Sequence, residues 1–196
     1  MHVMFGLDEP IQSVADTFFG EHFLRARPMV RNGAEANKQV GPGAHAPIAW
    51  GFGDHVVFEQ VRWSLENDRT ESTKFVIPDR RTSHAHRCLI PVSHVDMACG
   101  DEHDGGESVR LRLRQDPWFC LGGVYRPHGL FNAHGFALLA CEAGEDLKPY
   151  CDLQPIIVPR QYWIAWLNSS KDTRPIQRPL PAGQLEIETR SAPLAC

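Results

Sequence analysis

The chain has 196 residues, of which 42% are hydrophobic, 9% aromatic and 22% charged, with 20 Lys or Arg against 24 Asp or Glu for a net charge of -4. That length suits one domain with its own core, no apolar run reaches the ~18 residues of a membrane-spanning helix, and the slight acidity excludes a surface coated in basic charge for duplex DNA. The first residues, MHVMFGLDEP, lack the basic start and apolar stretch of a signal peptide, which predicts a cytoplasmic chain with reduced cysteines.

In chain order, IQSVADTFFGEHF (11–23) carries apolar residues at helical spacing. Pro42, Pro47, Gly41, Gly43 and Gly51 predict a constrained loop over 41–53. VVFEQVRW (56–63) and RCLIPV (87–92) read as strands, and CGDEHDGGES (99–108) as an acidic hairpin loop leading to VRLRLR (109–114). WFCLGGVY (118–125), FALLAC (136–141) and PIIV (155–158) read as further strands, the continuously apolar ones central and the alternating ones half-buried. RQYWIAWLN (160–168) begins just after Pro159 and predicts a helix. The proline-rich end from Thr173 to Pro193 predicts a surface-wrapping extension, so that a single domain runs over 1–196 with 169–196 as its tail.

Six cysteines, at 88, 99, 120, 141, 151 and 196, form no CxxC pair, and most read as small buried residues. In HAHRC, the residues His84, His86 and Cys88 share one face of a strand, and Cys99 or His103 would complete a zinc set. Surface histidines with a core cysteine is the plainer reading, so no metal and no cofactor is expected. Between Arg62 and Arg87, six Lys or Arg stand against four Asp or Glu, which leaves room for a local basic groove.

Several segments, taken in order, resemble the SOS-response-associated peptidase (SRAP) family. NDRTEST (67–73) resembles that family's Asn-Ala-Arg-x-Glu-Thr segment, and RCLIPV its Arg-Cys-Leu-[IV]-Pro-Ala strand. FCLGGVY (119–125) and FALLACEA (136–143) are similar to its next strands, and CDLQPIIVPRQYWIAWL to its His-Asp-Arg-Met-Pro block followed by two tryptophans. QRPLPAGQLE (177–186) fits its C-terminal stretch. The resemblance implies an α+β fold, a strongly bent and partly barrel-like antiparallel β-sheet with flanking helices. It also implies a chemistry, in which a cysteine after the initiator methionine closes a ring on the aldehyde of an abasic site in single-stranded DNA. A glutamate and a histidine carry protons in that reaction.

Against that pattern, MHVMF places His2 at the nucleophile and Met4 at a basic residue of the DNA site. PVSHVDMA (91–98) places Met97 at the glutamate and Ala98 at a tryptophan, and CDLQP places Cys151 at the histidine and Leu153 at a phosphate-holding arginine. The resemblance puts His2 and Cys151 in one site with their roles exchanged, a candidate pair in which the imidazole would activate the thiol. Trp50, Asn67, Arg69, Glu71 and Asp152 occupy retained positions expected to bind DNA by backbone contact and base stacking. The expected function is a monomeric SRAP-like protein that binds single-stranded or abasic-site DNA, with the covalent crosslinking and autopeptidase chemistry degenerate. The alternatives are activity on damaged DNA or peptide through His2 and Cys151, or a non-enzymatic protein-interaction module.

Overall fold

A computed structural model describes residues 2–20, 29–30, 35–36, 39–52, 55–64, 75–76, 86–99, 108–126, 135–168 and 172–190. Among the described residues the chain is mostly β-sheet with two short α-helices. Four strands, β1 (His2–Gly6), β7 (His94–Ala98), β8 (Ser108–Leu113) and β13 (Leu185–Arg190), form an antiparallel sheet in the order β1-β7-β8-β13. Beside it lies a nine-stranded sheet. Its main path is β11 (Leu153–Pro155), β10 (Gly135–Glu142), β9 (Phe119–Arg126), β6 (His86–Val92), β3 (His45–Phe52), β4 (His55–Arg62) and β2 (Met29–Val30), with β5 (Phe75–Val76) on β10 and β12 (Ile157–Val158) on β9. Among the described residues, no helix is long and apolar enough to cross a membrane.

Side-chain alternation divides the core in two. Val3, Phe5, Val95, Met97, Val109 and Leu111 of the smaller sheet meet Ile48, Cys88, Ile90, Leu121, Phe136 and Leu138 of the larger one. The opposite face of the larger sheet carries Phe58, Leu89, Val124, Ala137 and Leu139, covered by α1 (Ile11–Gly20) and α2 (Trp163–Leu167). A strand buried on both faces needs apolar residues at successive positions, which is why β6 reads Cys-Leu-Ile-Pro-Val. Strand β8 instead alternates, with Val109 and Leu111 buried and Arg110 and Arg112 half-buried.

Helix α1 buries Val14, Ala15 and Phe18 while Gln12, Ser13 and Asp16 stay exposed, the helical stripe its sequence predicts. Phe18 stacks on Trp163 at 4.3 Å, joining the two helices. The second predicted helix is shorter than its aromatic run suggests: Arg160–Tyr162 form a 3-10 turn, and α2 holds five residues. Trp163 donates to the Val158 carbonyl at 2.9 Å and Trp166 to the Cys88 carbonyl at 2.9 Å, so two indoles pin the segment to the sheet. The loop expected over 41–53 is a turn at its start only, with Gly43 at φ 86°, while His45–Phe52 is a full strand paired with both β4 and β6. Pro47 and Gly51 are accommodated within that ladder. Of the predicted tail, Leu185–Arg190 forms β13 on the edge beside β8.

The partly barrel-like closure expected from the resemblance is not formed, because the edges that would have to meet are occupied. Strand β2 lies along β4, and β5 and β11 lie along β10. The larger sheet curls only far enough for Trp63, just past β4, to form a single bridge with Phe136 of β10.

Gly122 of β9 lies under the indole of Trp166, and a Cβ there would sit 2.5 Å from the ring. Substitution Gly122→Ala is therefore expected to destabilise the fold by about 1–3 kcal/mol, read as a lower urea midpoint with an unchanged slope. Gly183→Ala is no control, since its φ is 83°; Gly41, with only the Met4 side chain at 3.8 Å, is the better one.

Candidate functional site

Strand β7 ends at Ala98, and Cys99 follows with the same inward parity as Val95 and Met97; it is 5% exposed. Beyond β10 the chain makes a tight excursion before β11. Leu147 is fully buried at its centre, the Tyr150 and Cys151 amides both donate to the Leu147 carbonyl, at 2.9 and 3.0 Å, and Ala143 donates to the Asp152 carbonyl at 2.8 Å. These bonds hold Cys151 at the exit of the turn, 7% exposed, against the same core as Cys99. The two sulfurs form a disulfide, with Cα atoms 5.2 Å apart, inside the usual span of about 4.4–6.8 Å. This corrects the expectation that all the cysteines are reduced. A pairing across 52 residues is set by how two sheets meet, and spacing along the sequence carries no sign of it.

The backbone brings the start of β1 to the same place, since His2 stands opposite Ala98, one residue before Cys99. Residues 2, 99 and 151 thus gather at one end of the smaller sheet. The sulfur of Cys151 is engaged by Cys99 there. Met97, at the position the resemblance gives to a glutamate, is fully buried opposite Val3 and has no proton to carry. Met4 is half-buried and accepts a weak bond from Gln39 Nε2 at 3.5 Å. Leu153 is half-buried in β11, and Asp152 is exposed, with its carbonyl used by the turn.

The other expected site residues lie apart from this end. Trp50 stands opposite Cys88, near the start of the ribbon formed by β6 and β7, whereas Cys99 follows its far end. Trp50 is half-buried; its Nε1 donates to Glu59 Oε2 at 3.3 Å and its ring meets Tyr125 at 5.4 Å. Asn67, Arg69 and Glu71, like His84 and His103, lie outside the described residues. His86 is exposed, and Cys88 is fully buried with its thiol pushed well above the usual range by desolvation. Among the described residues, no three His, Cys, Asp or Glu side chains are grouped to hold a metal ion.

A second polar cluster, on the outer face of the smaller sheet, was not legible in the HVD of 94–96. Arg110 grips Asp96 through two bonds of 2.6 Å, with Asp96 4% exposed. His94, 5% exposed, lies between Asp96 and Asp8, each 3.8 Å from one ring nitrogen, and its Nδ1 is buried without a partner. Burial, and then the Arg110 guanidinium, push the His94 pKa down against the opposing pull of Asp96 and Asp8.

Two outcomes follow for stability. Loss of the Cys99–Cys151 bond frees a loop spanning 52 residues in the unfolded chain, so reductant, or the double change Cys99→Ser with Cys151→Ser, is expected to lower the unfolding free energy by about 4 kcal/mol on the chain-entropy estimate. Guanidinium titration with and without dithiothreitol measures it. For His94, the folded pKa lies below the unfolded value, about 6.5. Its contribution to stability is complete above that unfolded value and is lost as pH falls through the lowered folded one. Unfolding free energy should therefore decline on acidification in this window, and His94→Gln should flatten that part of the profile.

Comparison with protein-family models gave no match, and neither did comparison with curated proteins. Solved structures do share the fold. A protein from Bacteroides thetaiotaomicron superimposes with a TM-score of 0.68 at 15% identity, over 95% of this chain and 90% of that one. A protein from Bordetella bronchiseptica gives 0.67 at 16%, over 97% and 99%. A phage-related protein from Bordetella bronchiseptica gives 0.67 at 13%, over 95% and 93%. At these identities the likeness is one of fold, and it extends over nearly the whole chain.

Proposed function

We propose that the chain is an SRAP-like protein that binds single-stranded DNA reversibly, without the covalent step of that family. The observation that carries this reading is the Cys99–Cys151 bond, which ties up the sulfur standing where the resemblance places the proton-carrying histidine. Met97 adds to it, being a buried thioether where a carboxylate would be needed. His2 in place of a cysteine removes the thiol that would close a ring on an aldehyde. The binding half of the reading rests on the motif likeness of residues 67–73, on Trp50 beside Tyr125, and on the basic balance between Arg62 and Arg87. Phosphate contacts of this kind weaken steeply with salt.

A second reading is favoured by the meeting of residues 2, 99 and 151 at one end of the smaller sheet. Once a thiol reductant has opened the bond, the Cys151 thiolate can add to an abasic aldehyde, forming one S–C bond while the carbonyl oxygen takes up a proton. The product is a thiohemiacetal, which reverts. Cys151 is internal and carries no α-amine of its own to lock it.

The test is a gel shift with single-stranded DNA, with and without an abasic site, in the presence and absence of reductant, followed by denaturing electrophoresis. The expected result is a salt-sensitive shift with both strands and no adduct surviving denaturation. A missing shift removes DNA binding, an adduct that survives denaturation removes the reversible reading, and a native shift strengthened only for the abasic strand, only with reductant, and lost in Cys151→Ser selects the second.

A further inference from the structure

Strand β13 is clasped at its entry by two residues from different parts of the chain. Arg114, which follows β8, donates its amide to the Gln184 carbonyl and its Nε to the Leu185 carbonyl, both at 3.1 Å. Asp146, in the turn between β10 and β11, accepts the amides of Gly183 and Leu185 at 2.8 to 3.1 Å, and these bonds hold its carboxyl below the ordinary pKa range. Beyond this clasp, the β8 ladder and the bond from the Ser108 hydroxyl to the Arg190 carbonyl at 3.0 Å, little secures the strand. Leu185 is buried, Ile187 is half-buried and the rest of β13 is exposed. An edge with so little apolar burial sits at the low end of local stability.

The turn that supplies Asp146 ends at Cys151. Gly144, at its start, packs so closely on the segment leading into β13 that a Cβ there would lie 2.7 Å from the Pro179 side chain. Leu147, Cys151 and Leu185 are buried in one cluster, with Leu180 packed against it. The turn thus reaches from the entry of β13, at Asp146, to the end of β7, where Cys151 is bonded to Cys99. A turn fixed at Cys151 keeps the Asp146 oxygens in register with their amides. Released there, it can shift, and hydrogen bonds weaken steeply with small losses of distance and angle.

Thiol–disulfide exchange opens such a bond reversibly. A thiolate of a small reductant such as glutathione attacks one sulfur, forming a mixed disulfide and releasing the other sulfur as a thiolate. A second glutathione thiolate then displaces the remaining protein sulfur. The two protein thiolates take up the protons the two glutathione thiols lost, and the glutathione leaves as its disulfide.

We propose that the Cys99–Cys151 bond is a redox-sensitive latch on β13: oxidised, it fixes the turn that clasps the strand, and reduced, it lets Asp146 part from the entry of β13 so that the strand opens from β8. The latch stands independently of the DNA-binding reading.

Two measurements on the full chain test it. Hydrogen exchange compares the β13 amides of the oxidised and reduced protein, with dilute guanidinium separating local opening from global unfolding. Reduction is expected to lower β13 protection by about tenfold, through an opening that dilute guanidinium does not accelerate. Unchanged protection, or a loss that appears only through denaturant-sensitive global unfolding, overturns the latch. The second measurement uses reciprocity, since a clasp that the bond supports must in turn support the bond. In glutathione buffers, with the Cys99 and Cys151 peptides alkylated and weighed by mass spectrometry, Asp146→Ala should shift the equilibrium towards the dithiol by about fivefold to tenfold. Asp146→Asn, which keeps one acceptor oxygen, should fall between, and Glu186→Gln, on β13 outside the clasp, should match the unaltered chain. An equilibrium unmoved by Asp146→Ala makes the bond a staple that does not sense β13, and ends the proposal.

Discussion

One stretch of chain, His86 to Ala98, belongs to both sheets, and the step it makes at Ser93 governs everything around it. Up to Val92 the residues facing the shared core are Cys88, Ile90 and Val92; after the step they are Val95, Met97 and Cys99. The parity changes from even to odd, so one ribbon can present apolar side chains to the same core from two directions. The step is fixed by two bonds: the Ser93 amide donates to the Gly6 carbonyl at 2.7 Å, and its hydroxyl accepts from the Asp8 amide at 3.0 Å. Without it, Asp96 would point inward in place of Met97, and an unpaired carboxylate in the core would cost several kcal/mol. Pro91, just before the step, is tolerated because the β3 ladder has already ended at Leu89 and only β9 remains alongside.

The same step decides what chemistry the end of the ribbon can hold. Cys99 acquires inward parity from it and so reaches Cys151, while His94 and Asp96 are turned to the outer face, where Arg110 and Asp8 meet them. Two linkages therefore flank β7, a covalent one inside and an ionic one outside. Trp50, paired with Glu59 and Tyr125 at the other end of the ribbon, belongs to neither.

How much of this the sequence disclosed depended on whether a signal was local. Apolar runs and alternation marked β4, β6, β8, β9 and β10, since burial on one face or two writes a period into the residues themselves. Strand β3 was hidden by Pro47 and Gly51, which look like turn residues until the neighbours that tolerate them are known, and β13 by the prolines before it. Helix α2 was overestimated because its tryptophans serve the sheet beneath. The gathering of residues 2, 99 and 151 is half visible: the resemblance suggests two of the three, and the spacing around the third points only to a metal ligand. The His94 cluster had no signature at all, because Asp8, Asp96 and Arg110 come from three separate segments and are matched only by strand register.

The covalent link between the sheets also sets how the molecule transmits tension. Strands β8, β9 and β10 all lie inside the ring closed by Cys99 and Cys151, so a pull on the two ends passes through the sulfur atoms and bypasses them. The 52 residues shielded in this way withhold about 170–190 Å of contour from a stretched chain. Mechanically, the oxidised protein extends only through the segments outside the ring, and its reduced form along its whole length.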